Sequence, residues 1–517
     1  MLKKQSLLKG SFILATVAFA NRLLGFLLRI FIVKIVGDEG LGIFQMVYPI
    51  YITLLLISTA GFPLAISKLI PEKDDDLKKE HALRLLKASL FFVFFSATLI
   101  TIFTHNYAHF ICTKLLEESR CYYPLMFLIP ALFITSIASI FRSFFQGFQN
   151  MIPTAISQLT EQLARFASTI VLLSMVANLN IRFKAAAIAL GITIGEFCAL
   201  IFLVLYFLFW YKSVRKKLNY PPKKTPLREI YKKIAFFALP ITSGRILHSI
   251  LRSFEAYLIP AQLRLSGLLK SEATALFGQL SGMVEQIIFL PTVITTALTI
   301  SLIPNISNKF AKNDLKNIRK NYEDILKIIT YMGFPAALFF YIYGPEITKL
   351  IFAFPSAGEI LSAMALSAPF LYYSQVSSAI LNGLGKPLIA VKNITIAFLI
   401  KILLIYILVS NPIWQIKGVA IATILAFMLS SFLNYYSIKK KINFKLNLIS
   451  VILKPLISIL IVYLLHPYLY SSIYYIPLIV NPKLQIIYIL FSSAFIYFLA
   501  MFLTGAIKIN ELKKIKF

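Results

Sequence analysis

The sequence predicts an all-α, polytopic membrane protein of about fourteen transmembrane helices, in two parallel six-helix lobes around a central cavity plus two C-terminal helices. Three observations predict this fold class. The mean hydropathy of the 517 residues is +0.80, and apolar runs long enough to cross a bilayer recur throughout the chain. Positive charge is concentrated in alternate loops, and several short motifs of the first half recur in the second.

The apolar runs define the candidate spans. Each is about 20 residues long, the length that a helix needs to cross the hydrocarbon core of a bilayer. We expect the spans to begin near Ser11, Leu41, Leu85, Cys121, Ala155, Ala185, Tyr231, Ala273, Ile325, Ile360, Leu388, Gly418, Leu446 and Leu484.

The loop charges predict the orientation of these spans. The chain has a formal net charge of +31. With the N-terminus inside, the predicted inner segments carry 32 lysines and arginines and the outer loops carry 9. Short loops rich in Lys and Arg stay in the cytoplasm, so both termini are expected to be cytoplasmic, in a multi-pass protein of the cytoplasmic membrane. The same bias explains the basic composition without nucleic-acid binding.

Internal similarity predicts the domain organisation. The first-span residues Arg22 and Arg29 recur 223 residues later as Arg245 and Arg252, and GFPLAIS (Gly61–Ser67) resembles SLIPNIS (Ser301–Ser307). Six spans per repeat is an even number, so the two repeats run parallel. We predict an N-lobe over residues 1–211, a basic cytoplasmic linker over 212–230, a C-lobe over 231–438, and two additional helices over 439–517.

Two arginines lie inside the first apolar run. Arg22 and Arg29 are seven residues apart, so they share one face of a helix, about 10.5 Å apart along its axis. A charge at that depth is unfavourable unless it faces protein or water. Guanidinium groups match phosphate oxygens, so anion capture is the functional interpretation, and pairing with acids on other helices is the structural one. Asn21 is a polar neighbour on the same helix.

The seventh run carries a polar stripe at steps of three and four residues. Its members are Arg245, His248, Arg252 and Glu255. We interpret Arg245 and Arg252 as counterparts of the first-span arginines, with Glu255 as the neutralising partner of Arg252. His248 between two arginines is a candidate for hydrogen bonding or for proton coupling.

Other intramembrane acids are candidates for coupling or for structural pairing. Glu161 and Arg165 in the fifth run have the i,i+4 spacing of an ion pair, for which we favour a structural role. Glu196 and Glu285 each lie alone in a span, as proton or cation sites or as partners of the first- and seventh-span arginines. No metal site or cofactor is expected, and whether Cys112 and Cys121 in one predicted outer loop form a disulfide stays open.

The first seventy residues carry a family resemblance. Its marks are NRLLGF (Asn21–Phe26), the short GDEGLG turn (Gly37–Gly42) and GFPLAISKL (Gly61–Leu69). This stretch resembles the stage V sporulation protein B group of polysaccharide-biosynthesis proteins. That group belongs to the multidrug/oligosaccharidyl-lipid/polysaccharide exporter superfamily, together with the lipid II flippases.

The resemblance implies a transporter and not an enzyme. The expected activity is alternating-access flipping of an undecaprenyl-pyrophosphate-linked saccharide, in peptidoglycan, spore cortex or polysaccharide biosynthesis. It implies that cavity arginines contact the pyrophosphate, with Arg22 as the carry-over from the family motif. Expected partners are the lipid-linked oligosaccharide, membrane lipids and wall-synthesis enzymes, and the expected state is a monomer. An ion or proton gradient and the membrane potential are the candidates for the driving force.

Two alternatives stay open. A multidrug or cation antiporter of the same superfamily would need acidic side chains in its cavity, whereas all six aspartates lie outside the predicted spans. A membrane-embedded glycosyltransferase or polymerase would need a catalytic acid or metal site near one face, and the sequence offers no convincing one.

Overall fold

A computed structural model of the protein describes residues 7–71, 75–215, 226–472 and 482–506. This part of the chain is helical and contains no strand. The α-helices are α1 (Leu7–Thr59), α2 (Phe62–Leu69), α3 (Asp75–Phe110), α4 (Tyr122–Gly147), α5 (Ile152–Met175), α6 (Ile181–Arg215), α7 (Leu227–Leu265), α8 (Lys270–Phe277), α9 (Glu285–Phe289), α10 (Thr292–Ala311), α11 (Leu315–Phe352), α12 (Ser356–Met364), α13 (Ser367–Gly383), α14 (Pro387–Val409), α15 (Gln415–Ile442), α16 (Lys454–Ser472) and α17 (Pro482–Leu503). Wider π-helical turns extend or join some of them, at Ile111–Leu115, Gly278–Val284 and Ile449–Leu453.

The longest helix, α1, is broken at Gly37. That residue has φ 75° and ψ −176°, a conformation that a side chain would disfavour and glycine adopts readily. The apolar part of α1 runs over 47 residues. At 1.5 Å per residue it is about 70 Å long, more than twice the hydrocarbon thickness of a bilayer. The helix is therefore long enough for two membrane-crossing segments, and the break that would separate them lies at the turn that the GDEGLG motif predicts.

Nine helices of the described residues are long and apolar enough to cross a membrane, and the bent pair Lys270–Phe289 and Thr292–Ala311 makes a tenth candidate. The predicted fold class is confirmed at this level: the protein is a helical, multi-pass membrane protein. The count of fourteen stays a prediction. Two helices outside that set, α5 and α7, carry the polar stripes that lower their hydropathy.

The chain forms two compact units. The first comprises Met1–Arg264 with Leu268–Gly278. Its apolar core lies where α2, α3, α4 and α6 meet: Phe144 and Phe145 of α4 are fully buried, and the ring of Trp210 on α6 lies 5.1 Å from that of Phe144. This core fixes α6 against α4, which matters for the charged residues described below.

The second unit comprises Leu265–Gly267 and Gln279–Phe517. Buried amides join α14 to α15, because Asn393 donates to Asn434 over 2.9 Å. The phenol of Tyr343 on α11 is 2.7 Å from the His466 ring on α16 and 3.3 Å from the Ser493 hydroxyl on α17. Hydrogen bonds thus attach the two additional C-terminal helices to α11.

The boundary between the two compact units lies near residues 264–279, whereas the predicted N-lobe ends at residue 211. The predicted linker over residues 212–230 lies partly outside the described residues, and α7 and α8 group with the helices before them. A close approach explains this grouping: a Cβ added to Gly42 would lie 2.0 Å from the carbonyl oxygen of Thr274 on α8. The lobes rest on internal repeats and not on contacts, so they stay a prediction.

Candidate functional site

Four charged side chains form a cluster in the first unit, which we name the quartet: Arg142 of α4, Glu161 and Arg165 of α5, and Glu196 of α6. Glu196 is buried and the other three are half-buried. Glu161 accepts hydrogen bonds from Arg142 Nη2 at 2.9 Å and from Arg165 Nη2 at 2.5 Å. The carboxylate of Glu196 lies farther away, with Oε2 at 3.6 Å from Arg142 Nη2 and Oε1 at 4.0 Å from Arg165 Nη2. The quartet therefore balances two positive charges against two negative ones.

Small residues bring α6 close to α5 beside the quartet. Gly191 and Gly195 have the G-x-x-x-G spacing that lets membrane helices approach closely. A Cβ added to Gly195 would lie 2.7 Å from the carbonyl oxygen of Glu161 and 3.0 Å from the Arg165 Cβ. Glu196 follows directly in the chain, so this contact places its carboxyl group next to the charges of α5.

The first-span arginines lie on the side of α1 that faces α5. A Cβ built on Gly25 lies 3.5 Å from the amide nitrogen of Gln162, and Arg22 and Arg29 are both within about 60° of Gly25 around the helix. Arg29 interacts electrostatically with Arg165 and with Tyr48. Its Nη1 nitrogen is buried and makes no hydrogen bond within the described residues.

Two further polar residues of this helix are half-buried. Arg22 has interaction partners in the structure, and the side-chain oxygen of Asn21 is buried without a hydrogen bond to the described residues. Both lie on the stretch of α1 that also carries Arg29, so the arginine face predicted for the first span is present next to the quartet.

The α7 stripe is partly neutralised, as the sequence predicts. Glu255 is buried, and its Oε2 lies 3.6 Å from Nη1 of Arg252. Arg245 is exposed, and His248 is half-buried and has interaction partners. Arg22 and Arg245 occupy equivalent positions in the predicted parallel repeats, so we expect them to face each other across the predicted cavity, and this stays a prediction.

The α7 stripe begins beside the contact of this helix with α1. The hydroxyl of Thr53 on α1 lies 2.8 Å from those of Ser249 and Ser253. Arg245 and Arg252 are about 40° and 60° around the helix from Ser249, so they flank this contact.

The sequence interpretation of the quartet was incomplete. The i,i+4 pair of Glu161 and Arg165 is present, but the second arginine on Glu161 is Arg142, which sequence reasoning overlooked. A charged residue inside the apolar run of the fourth span was the signal. Glu196 is not isolated: within the described residues its ion pairs are with Arg142 of α4 and Arg165 of α5, and not with the arginines of the first and seventh spans. Glu285 lies half-buried at the start of α9 in the second unit and has interaction partners.

A second charged cluster joins three turns of the first unit, and we name it the turn cluster: Glu39, Glu118, Arg120 and Lys270. Glu118 is buried and accepts two hydrogen bonds of 2.8 Å from the Arg120 guanidinium. Arg120 also donates to Glu39 at 2.5 Å, and Lys270 lies 3.7 Å from Glu118. Arg264 and Glu117 form an adjacent ion pair.

The electrostatics of the turn cluster favour the ionised form of Glu118. Burial alone would raise the pKa of this carboxyl group, but hydrogen bonds from Arg120 and the charges of Arg120 and Lys270 outweigh burial. The pKa of Glu118 is therefore lowered. Cys112 and Cys121 lie near this acid, and both are buried free thiols.

Comparison with known proteins identifies the family. A family model described as Polysaccharide biosynthesis protein matches residues 7–308, more than half of the chain. The chain belongs to the polysaccharide biosynthesis protein family. The family resemblance of the first seventy residues is thereby confirmed. A second model, MatE, matches residues 279–407 of this polysaccharide biosynthesis protein.

Relatives of this polysaccharide biosynthesis protein are known in Bacillus subtilis. Stage V sporulation protein B is 26% identical over 513 residues, covering 99% of this chain and 98% of the relative. Lipid II flippase MurJ is 25% identical over 474 residues, covering 86% of this chain and 84% of the relative. The alignments cover at least 84% of each protein, so the similarity includes both halves of the chain.

Solved structures share the fold of this polysaccharide biosynthesis protein. An inward-facing multidrug resistance MATE family transporter of the MOP superfamily aligns with a TM-score of 0.68 at 15% identity, covering 82% of this chain and 94% of the transporter. The inward closed conformation of lipid II flippase MurJ aligns with a TM-score of 0.67 at 16% identity, covering 94% of this chain and 98% of the flippase. At such identities the likeness establishes the fold alone.

Proposed function

We propose that this protein is a flippase that moves an undecaprenyl-pyrophosphate-linked saccharide across the cytoplasmic membrane, for peptidoglycan, spore cortex or polysaccharide biosynthesis. Two relatives that match most of the chain support this proposal, one of them a lipid II flippase and the other a sporulation protein. The work is transport across the membrane, not a covalent reaction, and the relatives named as flippase or transporter agree with that.

The observation that carries the proposal is the arginine face of α1. Arg29 lies in an apolar helix next to Arg165, and its buried Nη1 makes no hydrogen bond within the described residues. A buried guanidinium nitrogen without an acceptor is unfavourable, and a phosphate oxygen would satisfy it with a charge-assisted hydrogen bond. With Arg142 and Arg165, three arginines stand here against two glutamates. The region therefore has a net positive charge that suits an anionic group.

We assign the pyrophosphate contacts to four arginines: Arg22, Arg29, Arg245 and Arg252. Arg252 is the least available of them because Glu255 lies 3.6 Å away, whereas Arg245 is exposed. In the predicted parallel repeats, Arg22 and Arg245 occupy equivalent positions, so a doubly charged headgroup would offer oxygens to both. A guanidinium presents two parallel donors, which a lysine does not.

The cellular setting belongs to the same proposal. We place both termini in the cytoplasm and expect a monomer that uses an ion or proton gradient or the membrane potential as driving force. Wall-synthesis enzymes are candidate partners, because they would supply and consume the lipid-linked saccharide on the two faces of the membrane.

Binding of a pyrophosphate lipid to the purified protein tests the proposal. The probe is undecaprenyl pyrophosphate in detergent, measured against the parent and against Arg29→Ala, Arg22→Ala and Arg245→Ala. A charge-assisted hydrogen bond contributes about 1.5–3 kcal/mol, so Arg29→Ala should weaken binding by roughly 10- to 150-fold. Arg29→Lys keeps the charge but loses the planar donor pair, and it should fall between the parent and the alanine variant.

The matched control is Arg182→Ala, because Arg182 is an exposed arginine at the start of α6, stacked on Phe183. It should bind as the parent does. Undecaprenyl monophosphate distinguishes the headgroup from the lipid tail, and its affinity should be lower. Equal affinity for the parent and all three alanine variants would make the arginines structural and end the phosphate-capture mechanism.

A multidrug or cation antiporter is the second candidate. The match of the MatE family model to residues 279–407 is the observation that favours it. Its cationic substrates would be repelled by the positive charge beside α1, which is why we place it second. A membrane-embedded glycosyltransferase or polymerase finds no support among the relatives.

A further inference from the structure

The two acids of the quartet are not equivalent. Glu161 has the shorter contacts to both arginines, at 2.9 and 2.5 Å. Glu196 is 6% exposed, and its nearest arginine nitrogens are 3.6 and 4.0 Å away, beyond the range of a good hydrogen bond. Its Oε2 has no hydrogen bond within the described residues. The negative charge of Glu196 is therefore the less well compensated of the two.

The surroundings of Glu196 contain few other groups that could share its charge. The side chains that face it from the helices packed against α6 are Tyr48 and Tyr51 of α1, Thr135 and Arg142 of α4, and Glu161 and Arg165 of α5. Glu161 is the one other acid among them. Two carboxylates that share a buried site resist simultaneous ionisation, and the one with weaker hydrogen bonds is the one to take up a proton.

We propose that Glu196 is a proton-binding site, and that its protonation strengthens the hold of the neighbouring arginines on an anionic cargo. The inference rests on the proposed function for the cargo and adds a protonation site that sets the affinity for that cargo. With Glu196 ionised, Arg142 and Arg165 are balanced by two acids. With Glu196 protonated, one positive charge of the quartet is uncompensated, and it adds to that of Arg29.

The proposal links cargo binding to the protonation of Glu196. A proton on Glu196 removes a negative charge from the region that would receive the pyrophosphate, so cargo affinity rises when the site is protonated. By linkage, cargo binding then draws a proton from solution. One coupled proton changes the affinity by at most about tenfold per pH unit.

The first measurement uses the parent protein alone. Undecaprenyl pyrophosphate is added to purified protein in weak buffer with a pH indicator, and proton uptake is expected to approach one per lipid bound near the midpoint of the transition. The affinity, measured from about pH 5 to 8, should fall as the pH rises. Binding that is independent of pH, with Arg29→Ala still weakening it, would overturn the proton site and leave the proposed flippase standing.

The second measurement uses Glu196→Gln, which mimics the protonated acid in shape. It should bind the lipid with the affinity that the parent has at low pH, show no pH dependence from this site, and take up no proton. The control is Glu359→Gln, an exposed acid on α12 in the second unit, which should behave as the parent does. If Glu196→Gln keeps the pH dependence and proton uptake of the parent, the assignment to Glu196 is wrong.

A third readout does not depend on the cargo. The infrared C=O band of a protonated carboxyl group should appear in the parent as the pH is lowered and be missing in Glu196→Gln. A band that is present in the parent and lost in the variant, together with no lipid binding by either protein, would contradict the proposed function while the proton site stands. A band that is unchanged by Glu196→Gln would contradict the proton site.

Discussion

Glu161 holds two arginines that come from different helices, and only one of them could be predicted. Arg165 is four residues along the same helix, so helical periodicity alone brings it to Glu161. Arg142 lies on α4, and its contact with Glu161 depends on how α4 packs against α5 and α6. Periodicity carries no information about that packing. A charged residue inside an apolar run indicates that an oppositely charged residue lies near it in the fold, but not which one.

This arrangement predicts that Glu161→Gln destabilises the protein more than an exposed ion pair would. The change leaves two half-buried arginines, Arg142 and Arg165, with Glu196 alone, and breaking a buried ion pair costs up to about 3–5 kcal/mol. We expect a lower melting temperature in detergent and less monodisperse protein. The double variant Glu161→Gln with Arg165→Gln should recover much of this loss, because Arg142 then remains with Glu196. A fully stable Glu161→Gln that fails in transport would instead make Glu161 a coupling residue.

Helix boundaries were predictable where composition changes sharply. The apolar runs locate the described helices, and the glycine-containing turn at Gly37 predicts the break in α1. The turn cluster was not predictable, because Glu39, Glu118 and Lys270 lie far apart in sequence and are adjacent only after folding. Before the structure, Arg120 and Lys270 counted merely as loop charges. Their pairing with a buried acid turns them into links between α1, the α3–α4 turn and the start of α8.

The turn cluster predicts a pH-dependent stability. The pKa of Glu118 is lowered in the folded protein, so its ionised form stabilises the fold above its ordinary value near 4.5, and this contribution is lost as the pH falls through the lowered pKa. The melting temperature of the parent should therefore fall on acidification from about pH 6 to 3, and Glu118→Gln should show a smaller fall. Glu359→Gln, an exposed acid, should keep the slope of the parent.

The same cluster predicts that loss of Arg120 alone lowers the stability more than loss of Arg120 and Glu118 together. Arg120→Gln removes the two hydrogen bonds of 2.8 Å that Arg120 gives the buried Glu118, leaves this acid with Lys270 at 3.7 Å, and should lower stability at neutral pH by about 3 kcal/mol. The double variant Arg120→Gln with Glu118→Gln should be milder, because no unpaired buried charge remains. If the two variants melt at the same temperature, the ion pair contributes little and the pH dependence has another source.

At the scale of the whole molecule, sequence and structure agree on a helical, multi-pass membrane protein. The sequence predicts the orientation of the helices, and the structure gives the contacts between them. Loop charges predict the orientation of the helices in the membrane, and repeats predict how they group into lobes. Coordinates give contacts such as that of Gly42 with Thr274, which no repeat predicts. The predictions of two lobes and fourteen spans therefore require a particular membrane topology, which can be measured directly.

We predict that a reporter fused after Asn411 is exported and that one fused at Tyr220, outside the described residues, stays in the cytoplasm. Asn411 lies in the turn between α14 and α15, and the last turn of α15 carries Lys439, Lys440 and Lys441. The 28 residues of α15 are about 42 Å long, more than the hydrocarbon thickness, so its two ends lie on opposite sides of the membrane. Three lysines favour the cytoplasm for its C-terminal end, which leaves Asn411 outside.

Paired fusions to alkaline phosphatase and to a fluorescent protein give the readout, because the first is active only when exported and the second only in the cytoplasm. A fusion after Lys441 is the matched control, since it lies at the opposite end of the same helix and should behave as the Tyr220 fusion does. Because α15 must cross the membrane once, the Asn411 and Lys441 fusions have to report opposite sides. Exported reporters at Lys441 and Tyr220 with a cytoplasmic one at Asn411 would invert the orientation, and with it the side from which cargo would enter.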